Sequence, residues 1–280
     1  MSRGKRGIDR AAERVRRTLA DGEEIVLVLR CASCGAERER RVEPGLRVAE
    51  ERAEGSFQTL LLEREGRPAV RLKIFSGRPH REDLLLEHPP EQASPDVPVL
   101  YLHAREIVED PRRWRPHRVE GMRPLFCAAC REAFRAFRRR AEEVSRRTGV
   151  PLPRFPYRYG ITRCWKCKAE ILVFFWSSES WAEAAPPPPR PRTVQWRFSR
   201  TIGSSYWANT CPFCGAIQGD WFLRAEPDGP FFAVRRLLAP GEKDDPWRWL
   251  EDMVRIARWR FEGGIAPDAE GSGLRRCPPG

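Results

Sequence analysis

Four repeats of the pattern C-x-x-C constrain this chain more than any other feature of its sequence. Thiolate is the ligand that zinc prefers in structural sites, and two such pairs supply the four sulfur atoms of one tetrahedral site. Four thiolates leave no open coordination position, so these sites are expected to stabilise the fold and to take no part in catalysis. The pattern predicts two structural zinc ions, held by Cys31, Cys34, Cys127, Cys130, Cys164, Cys167, Cys211 and Cys214.

Pairing in sequence order is the simplest arrangement of these cysteines. The third and fourth pairs then form a zinc ribbon, with a strand excursion between its two knuckles. The first and second pairs enclose 92 residues, which is acceptable because loop-closure entropy grows only with the logarithm of loop length. A knuckle joined to a helix start resembles a treble-clef finger with a domain inserted. A redox dithiol is the alternative for a single pair, and the ninth cysteine, Cys277, is expected to be a spare thiol.

Net positive charge is concentrated in one segment. The chain carries a net charge of +12, and residues 112–168 hold 17 basic against 4 acidic side chains, a net +13. Two zinc sites with four thiolates each would lower the total to about +8 and leave this segment basic. No run approaches the roughly 18 apolar residues that span a bilayer, and residues 1–17 lack the apolar region of a secretory signal. A cytoplasmic protein without a membrane partner is expected.

Basic and aromatic residues alternate in this segment, which is typical of surfaces that bind nucleic acid. Cations attract phosphates, and aromatic rings provide platforms on which single-stranded bases stack. No recognition motif is visible, so DNA or RNA is expected to bind with low sequence specificity. A hydrated cationic surface is the alternative. The predicted contact residues are Arg112, Arg113, Trp114, Arg115, Arg118, Arg135, Arg138, Arg139, Arg158, Lys166 and Lys168, extended by Tyr157, Tyr159, Arg163 and Trp165.

Hydrophobic periodicity predicts an α+β chain with two domains. Helices are expected at 8–20, 104–110 and 131–147 and after Asp244, Asp245 and Pro246. A hairpin is expected at 56–64 and 68–75, with strands at 24–30, 37–43, 97–103, 171–176, 194–199 and 206–210, and β character at 221–223 and 231–234. The predicted divisions are a basic helix (1–22), a zinc-stapled domain (23–148), a linker (149–156), a mostly β zinc-ribbon domain with a closing helix (157–262) and a flexible tail (263–280).

The order of parts from Cys31 to Cys130 resembles the competence-protein (CoiA-like) nucleases of the PD-(D/E)xK superfamily. The matching stretches are RVAEERAEGSFQTLLLEREGRPAVRLKIF and VPVLYLHAREIVEDPRRW. The resemblance implies a restriction-endonuclease-like core, with an acidic residue on one hairpin arm and an acidic-x-Lys motif on the next to hold magnesium. Gln58 occupies the first position, and Arg71 or Lys73 the second. Because carboxylates are missing there, the resemblance implies a non-catalytic, degenerate component of a DNA-processing, competence or defence system.

Two other function classes remain open. An active metal-dependent nuclease would recruit acids from elsewhere, such as Glu50, Glu51 or Glu63. A protein-interaction subunit would dock a larger complex through the ribbon, the proline-rich residues 184–192 and the closing helix. The sequence contains no Gly-rich phosphate loop and no arrangement of Ser, His and Asp that indicates a hydrolase. His103 and His117 are expected to have structural roles.

Overall fold

The structure is a computed structural model, and it describes residues 3–54, 57–76, 97–117, 123–176, 185–234 and 245–261. The fold is mixed α and β, mostly sheets with a few helices, so the predicted α+β class is confirmed at this level. The chain divides into two compact units. The first comprises residues 1–31 and 36–125, and the second comprises residues 32–35 and 126–280. None of the helices among the described residues is both long and apolar enough to cross a membrane.

The described residues of the first unit form two sheets and two helices. Its elements are α1 (Arg3–Ala20), β1 (Val26–Arg30), β2 (Glu37–Arg41), β3 (Arg47–Glu54), β4 (Phe57–Arg64), β5 (Arg67–Phe75), β6 (Val99–His103), α2 (Ala104–Glu109), β7 (Arg113–Trp114) and β8 (Pro116–His117). The larger sheet has the strand order β3-β4-β5-β6-β8, and the smaller has the order β2-β1-β7. The pairs β5–β6 and β1–β7 are parallel, and the other neighbours are antiparallel.

Alternation along the strands places one apolar face of the larger sheet against the helices. Leu60, Leu72 and Leu102 are buried on that face, in one core with Ala11 and Val15 of α1. These two α1 residues belong to the apolar stripe that the sequence predicts. The predicted hairpin is also confirmed, because β4 and β5 are joined by a two-residue turn. Its residues Glu65 and Gly66 both have positive φ, of 52° and 76°, as the type I′ turn requires.

In the second unit, the part of the chain that the structure describes forms two sheets and three helices. Its elements are α3 (Ala128–Thr148), β9 (Arg158–Arg163), β10 (Glu170–Phe175), β11 (Val194–Ser199), β12 (Ser204–Thr210), β13 (Ile217–Gln218), α4 (Asp220–Arg224) and α5 (Pro246–Phe261). Strands β9 and β10 pair with each other, and β11, β12 and β13 form a three-stranded sheet. The predicted cap of the closing helix is confirmed, because Asp245 Oδ1 accepts hydrogen bonds from the backbone N–H groups of Trp247 and Arg248.

A side-chain amide links these two sheets. The Asn209 Nδ2 group donates to the Phe174 carbonyl at 2.9 Å, and its Oδ1 accepts from the Phe174 N–H at 2.7 Å. Asn209 belongs to β12 and is 2 % exposed, while Phe174 belongs to β10. The amide therefore satisfies buried backbone groups that would otherwise need a neighbouring strand.

The boundary between the units differs from the predicted linker at 149–156. The predicted first domain (23–148) includes helix α3, but the buried residues Phe137, Ala141 and Val144 of this helix lie in the core of the second unit. The Phe137 and Tyr159 rings stack with centroids 5.7 Å apart. The periodicity of the helix predicts that one face is buried, but it does not predict which sheet this face packs against. The predicted tail (263–280) lies outside the described residues.

The segment predicted to have β character at 221–223 is part of a short helix. Residues Asp220–Arg224 form α4, and residues 231–233 form a turn. Trp221 and Phe222 are 68 % and 67 % exposed, and Leu223 is buried. Aromatic composition favours a strand, but one buried position in three suits a single helical turn better than an alternating strand. The β prediction for these residues is wrong.

Candidate metal centres

The eight paired cysteines form two clusters, with the pairing that the sequence predicts. One cluster consists of Cys31, Cys34, Cys127 and Cys130, and the other of Cys164, Cys167, Cys211 and Cys214. Within each cluster all sulfur atoms lie within 4.8 Å of one another. The four cysteines of each set are free thiols. Among the described residues, these are the two places where three or more side chains able to bind a metal come together.

Sulfur spacing in both clusters fits a tetrahedral zinc site. A Zn–S bond of about 2.3 Å places the sulfurs of a regular tetrahedron about 3.8 Å apart. The Cys34 and Cys127 sulfurs are 3.8 Å apart, those of Cys164 and Cys214 3.7 Å, and those of Cys167 and Cys211 3.6 Å. A disulfide would need about 2.05 Å. The residues therefore fit the predicted ion, which would staple the knuckles together and leave no position for a substrate.

Three knuckles share one backbone geometry. The N–H of the first cysteine donates to the carbonyl five residues later, from Cys31 to Ala36, from Cys164 to Ala169 and from Cys211 to Ala216, at 2.8–2.9 Å. The residue after the second cysteine has a left-handed backbone in each, with φ of 71° at Gly35, 61° at Lys168 and 68° at Gly215. This turn brings the two sulfurs of each knuckle to the same side.

The remaining pair, Cys127 and Cys130, is positioned by a helix. Cys127 is the N-cap of α3, with φ −65° and ψ 167°, and Cys130 is the third residue of the helix. The N–H of Arg131 donates to the Cys127 carbonyl at 3.1 Å. Thiolates at the first turn of a helix are stabilised by its dipole and its unpaired N–H groups. The start of α3 therefore places both sulfurs at the end of the helix where its unpaired N–H groups lie.

The thiols of the second cluster differ in acidity. Burial raises the pKa of Cys164, but N–H groups of the Cys167 and Lys166 backbone outweigh it and lower that pKa to about 6. Burial prevails at Cys211 and raises the pKa to about 12. The Gln218 Nε2 group donates to the Cys164 sulfur at 3.5 Å and further stabilises the thiolate. A bound cation is what would hold all four sulfurs as thiolates at once.

Comparisons of the chain with protein-family models, with curated proteins and with solved structures found no match. The likeness to the competence-protein nucleases stays a prediction. Gln58 lies on β4, where its Nε2 group donates to Glu51 Oε1 at 2.7 Å. Lys73 lies on β5, is 4 % exposed and lies 5.7 Å from the centre of the Phe57 ring. The acids proposed for an active nuclease are engaged with arginines, as the Glu51–Arg16, Glu50–Arg52 and Glu63–Arg47 pairs.

Both histidines take part in local structure. The His103 Nδ1 atom accepts a hydrogen bond from the Arg105 N–H and caps α2. The His117 Nε2 atom lies 2.9 Å from Glu106 Oε2. Both rings contact Phe75 edge-on, with centroids 5.2 and 5.6 Å away.

Several of the predicted nucleic-acid contacts are exposed. In the first unit Arg112 is exposed, whereas Arg113 and Arg115 are half-buried. Arg112 lies near Glu23 and Asp110, and Arg113 lies near Glu39. Arg118 lies outside the described residues. In the second unit the exposed residues include three arginines of α3, which pair with glutamates of the same helix, and two lysines of a knuckle: Arg135, Arg138, Arg139, Lys166 and Lys168.

Four predicted contact residues are buried, so the prediction is wrong for them. Trp114 is 1 % exposed, and its Nε1 donates to the Pro111 carbonyl at 3.1 Å within the first core. Arg158 is 1 % exposed and forms an ion pair with Asp252. Tyr157 and Tyr159 are 2 % and 4 % exposed, and burial raises the pKa of each to about 12. A basic run in a sequence does not show which of its members face the core.

One exposed aromatic side chain beside the second cluster, Phe213, is not among the residues predicted from the sequence. Phe213 is 53 % exposed, and Trp165, which is among them, is 61 % exposed. Each adjoins a ligand cysteine. The signal was present in the motifs Cys164-Trp-Lys-Cys-Lys168 and Cys211-Pro-Phe-Cys-Gly215, because an apolar ring between two metal ligands has no room in the core of so short a loop.

Proposed function

We propose that this chain is a two-zinc protein that binds nucleic acid through its phosphates, with low sequence specificity. The observation that carries the proposal is the helix α3, which begins at a ligand pair of the first cluster and carries seven arginines and three glutamates. The excess of four positive charges on the exposed side of this helix suits a polyanion. The first unit is proposed to be a non-catalytic, nuclease-like component of a DNA-processing, competence or defence system.

The ion pairs on α3 do not oppose this use. Arg138 Nε lies 3.0 Å from Glu142, and Arg139 Nη2 lies 3.3 Å from Glu132, while both arginine side chains are more than 60 % exposed. Exposed pairs of this kind contribute roughly 0–1 kcal/mol. A phosphate oxygen can therefore replace the glutamate at little cost, and charge-assisted bonds from arginine to phosphate are the stronger ones.

Charge reversal on α3 tests the proposal. The variant Arg138→Glu with Arg139→Glu should bind a short labelled duplex more weakly than the unmodified protein in fluorescence anisotropy. Loss of two phosphate contacts should also reduce the slope of log K against log salt by about 1.8, measured from about 50 to 200 mM KCl. The zinc content and melting temperature should stay unchanged, because both side chains are exposed.

A control with the same change in net charge is available on β2, whose residues are all exposed. Arg38→Glu with Arg40→Glu should change the slope much less than the α3 variant does. An equal effect of the two variants would show that overall charge, and not α3, determines binding. The proposal would be overturned if the unmodified protein bound neither DNA nor RNA in a salt-dependent way.

A protein-interaction subunit is the second candidate, and one observation favours it. Trp196, Phe198 and Ile202, on β11 and its turn, are 54 %, 60 % and 60 % exposed. Exposed apolar patches often mark interfaces with other proteins. Purification of a stable stoichiometric partner from nuclease-treated extract, lost in the Trp196→Ala variant, would support this candidate over nucleic-acid binding.

A further inference from the structure

Of the three knuckles with the same backbone geometry, one in the second cluster differs at the position that follows its second cysteine. This position has a left-handed backbone in all three, and it holds Gly35 in one, Gly215 in another and Lys168 in the third. Glycine adopts this backbone freely, whereas a side chain makes it unfavourable. A lysine that keeps a conformation suited to glycine is an observed strain, and such strain is concentrated at functional sites.

The same knuckle carries an exposed ring held in a defined position. The Trp165 side chain is 61 % exposed, yet its Nε1 donates to the Ile217 carbonyl at 2.7 Å. The Lys168 Nζ group donates to the Trp165 carbonyl at 2.7 Å, which uses one of its three N–H donors. The ring is therefore presented to solvent and anchored to the backbone, which lowers the entropy lost when a ligand stacks on it.

A second exposed ring lies at the same end of the unit. Phe213 immediately precedes Cys214, whose sulfur is 3.7 Å from that of Cys164, and Trp165 immediately follows Cys164. Phe213 is 53 % exposed. We call the residues Trp165, Lys166, Lys168 and Phe213 the knuckle surface.

Charge around the knuckle surface favours an anionic ligand. Lys166 and Lys168 are both exposed. The acidic residue that follows in the chain, Glu170, is engaged by Arg140 at 2.6 Å and Arg147 at 3.0 Å. Burial is the largest single influence on the pKa of Glu170 and raises it. The hydrogen bonds and charges of these two arginines together outweigh burial and lower that pKa. The carboxylate is therefore ionised but neutralised locally, and the cations of the knuckle keep their attraction for phosphate.

We propose that the knuckle surface binds unpaired bases of a single strand. This proposal rests on the nucleic-acid binding proposed above. Trp165 and Phe213 stack on the bases, and Lys166 and Lys168 contact the flanking phosphates. Rings interleaved with cations suit a ligand in which flat apolar groups alternate with anions. In a duplex the base faces are stacked on each other, so a duplex offers only its phosphates to this surface. An apolar protein partner would use the rings but not the two lysines.

The variant Lys168→Gly separates binding from folding. Glycine relieves the left-handed backbone, so the melting temperature of the zinc-loaded full chain should stay the same or rise. Affinity for a labelled oligo(dT) should fall, and the slope of log K against log salt should shrink by about 0.7, as for one phosphate contact on a single strand. A lower melting temperature with unchanged affinity would show that Lys168 is there for structure, and would overturn the proposal.

The variant Trp165→Ala tests stacking. It should weaken oligo(dT) binding by about tenfold, and Trp165→Phe should retain most of the affinity. Binding of a duplex of the same length should change by less than about twofold, because base faces are not accessible there. Trp196→Ala is the matched control, since Trp196 is 54 % exposed and lies on β11.

Each remaining outcome is decisive. Equal effects of Trp165→Ala and Trp196→Ala, or equal effects of Trp165→Ala on single strand and duplex, would overturn the single-strand site. If Trp165→Ala leaves oligo(dT) affinity unchanged while charge reversal on α3 weakens duplex binding, the proposed function holds and the knuckle surface is not its site. If the unmodified chain binds neither probe, both proposals fail together.

Discussion

Removal of one partner from the buried ion pair between β9 and α5 should destabilise the second unit strongly. The Asp252 Oδ2 atom accepts from Arg158 Nε at 3.0 Å and from Nη2 at 2.8 Å. The Arg158 side chain is 1 % exposed and that of Asp252 is 9 % exposed. Asp252→Ala leaves the guanidinium buried without this carboxylate. Breaking a buried pair in this way costs about 3–5 kcal/mol, which is a large share of the stability of an ordinary domain.

Urea unfolding of the zinc-loaded protein measures this cost. With a slope near 2 kcal/mol per molar urea, a loss of about 4 kcal/mol lowers the unfolding midpoint by about 2 M. Glu142→Ala is the matched control, because it breaks the exposed pair with Arg138 on α3 and should cost less than about 0.5 kcal/mol. Replacement of both partners by apolar side chains, Arg158→Met with Asp252→Leu, should recover most of the loss, because neither charge of this pair then remains buried.

The reasoning would be refuted by two results. One is a cost of Asp252→Ala no greater than that of Glu142→Ala, which would mean that water reaches Arg158 and that the pair is not desolvated. The other is a double variant that loses as much stability as Asp252→Ala does, which would mean that the cost comes from losing the pair and not from the charge left behind. Either result would contradict the view that the cost arises from an uncompensated charge.

Two further predictions concern metal content and pH. Elemental analysis should find two zinc ions per chain, Cys34→Ser and Cys167→Ser should each lose one, and Cys277→Ser should keep both; equal loss in all three variants would contradict the assignment. Burial raises the pKa of Asp220 to about 7, although the charge of Arg224 opposes this. The folded carboxyl thus keeps a proton that the unfolded one releases, and stability falls as pH rises from about 4 to about 7. Asp220→Asn should reduce the difference in urea midpoint between about pH 5 and pH 8, and an unchanged difference would exclude this origin.

Local patterns predicted the parts of the structure whose cause is local. The spacing of Cys31 and Cys34 predicts a knuckle, the turn at Glu65 and Gly66 a hairpin, and Asp245 a helix start, because each depends on the bonding of a few neighbouring residues. The pairing of the cysteines was also predicted. Pairing in sequence order is the simplest arrangement of the four C-x-x-C motifs, and the two clusters in the structure have that order.

Features that depend on distant partners were beyond the sequence. Arg158 reads as one more cation in a basic segment, because the carboxylate that binds it lies 94 residues further along. Trp114 resembles a stacking platform in the sequence, because the residues that bury it are also distant along the chain. The apolar stripe of α3 predicts that one face of the helix is buried, but it does not predict that this face packs beside β9. The left-handed backbone of Lys168 can be expected from the sequence only because Gly35 and Gly215 occupy the same position in the other knuckles.

The amide that links β10 to β12 has a consequence for the ageing of the protein. A two-stranded ribbon such as β9–β10 is marginal in water by itself, and the Asn209 side chain occupies both backbone groups of Phe174. Hydrolytic deamidation of Asn209 would replace the nitrogen that faces the Phe174 carbonyl with a negatively charged oxygen. The former donor would become a repelling acceptor in a site that water does not reach. Deamidation of Asn209 would therefore weaken the link between the two sheets of this unit through a change at a single nitrogen atom.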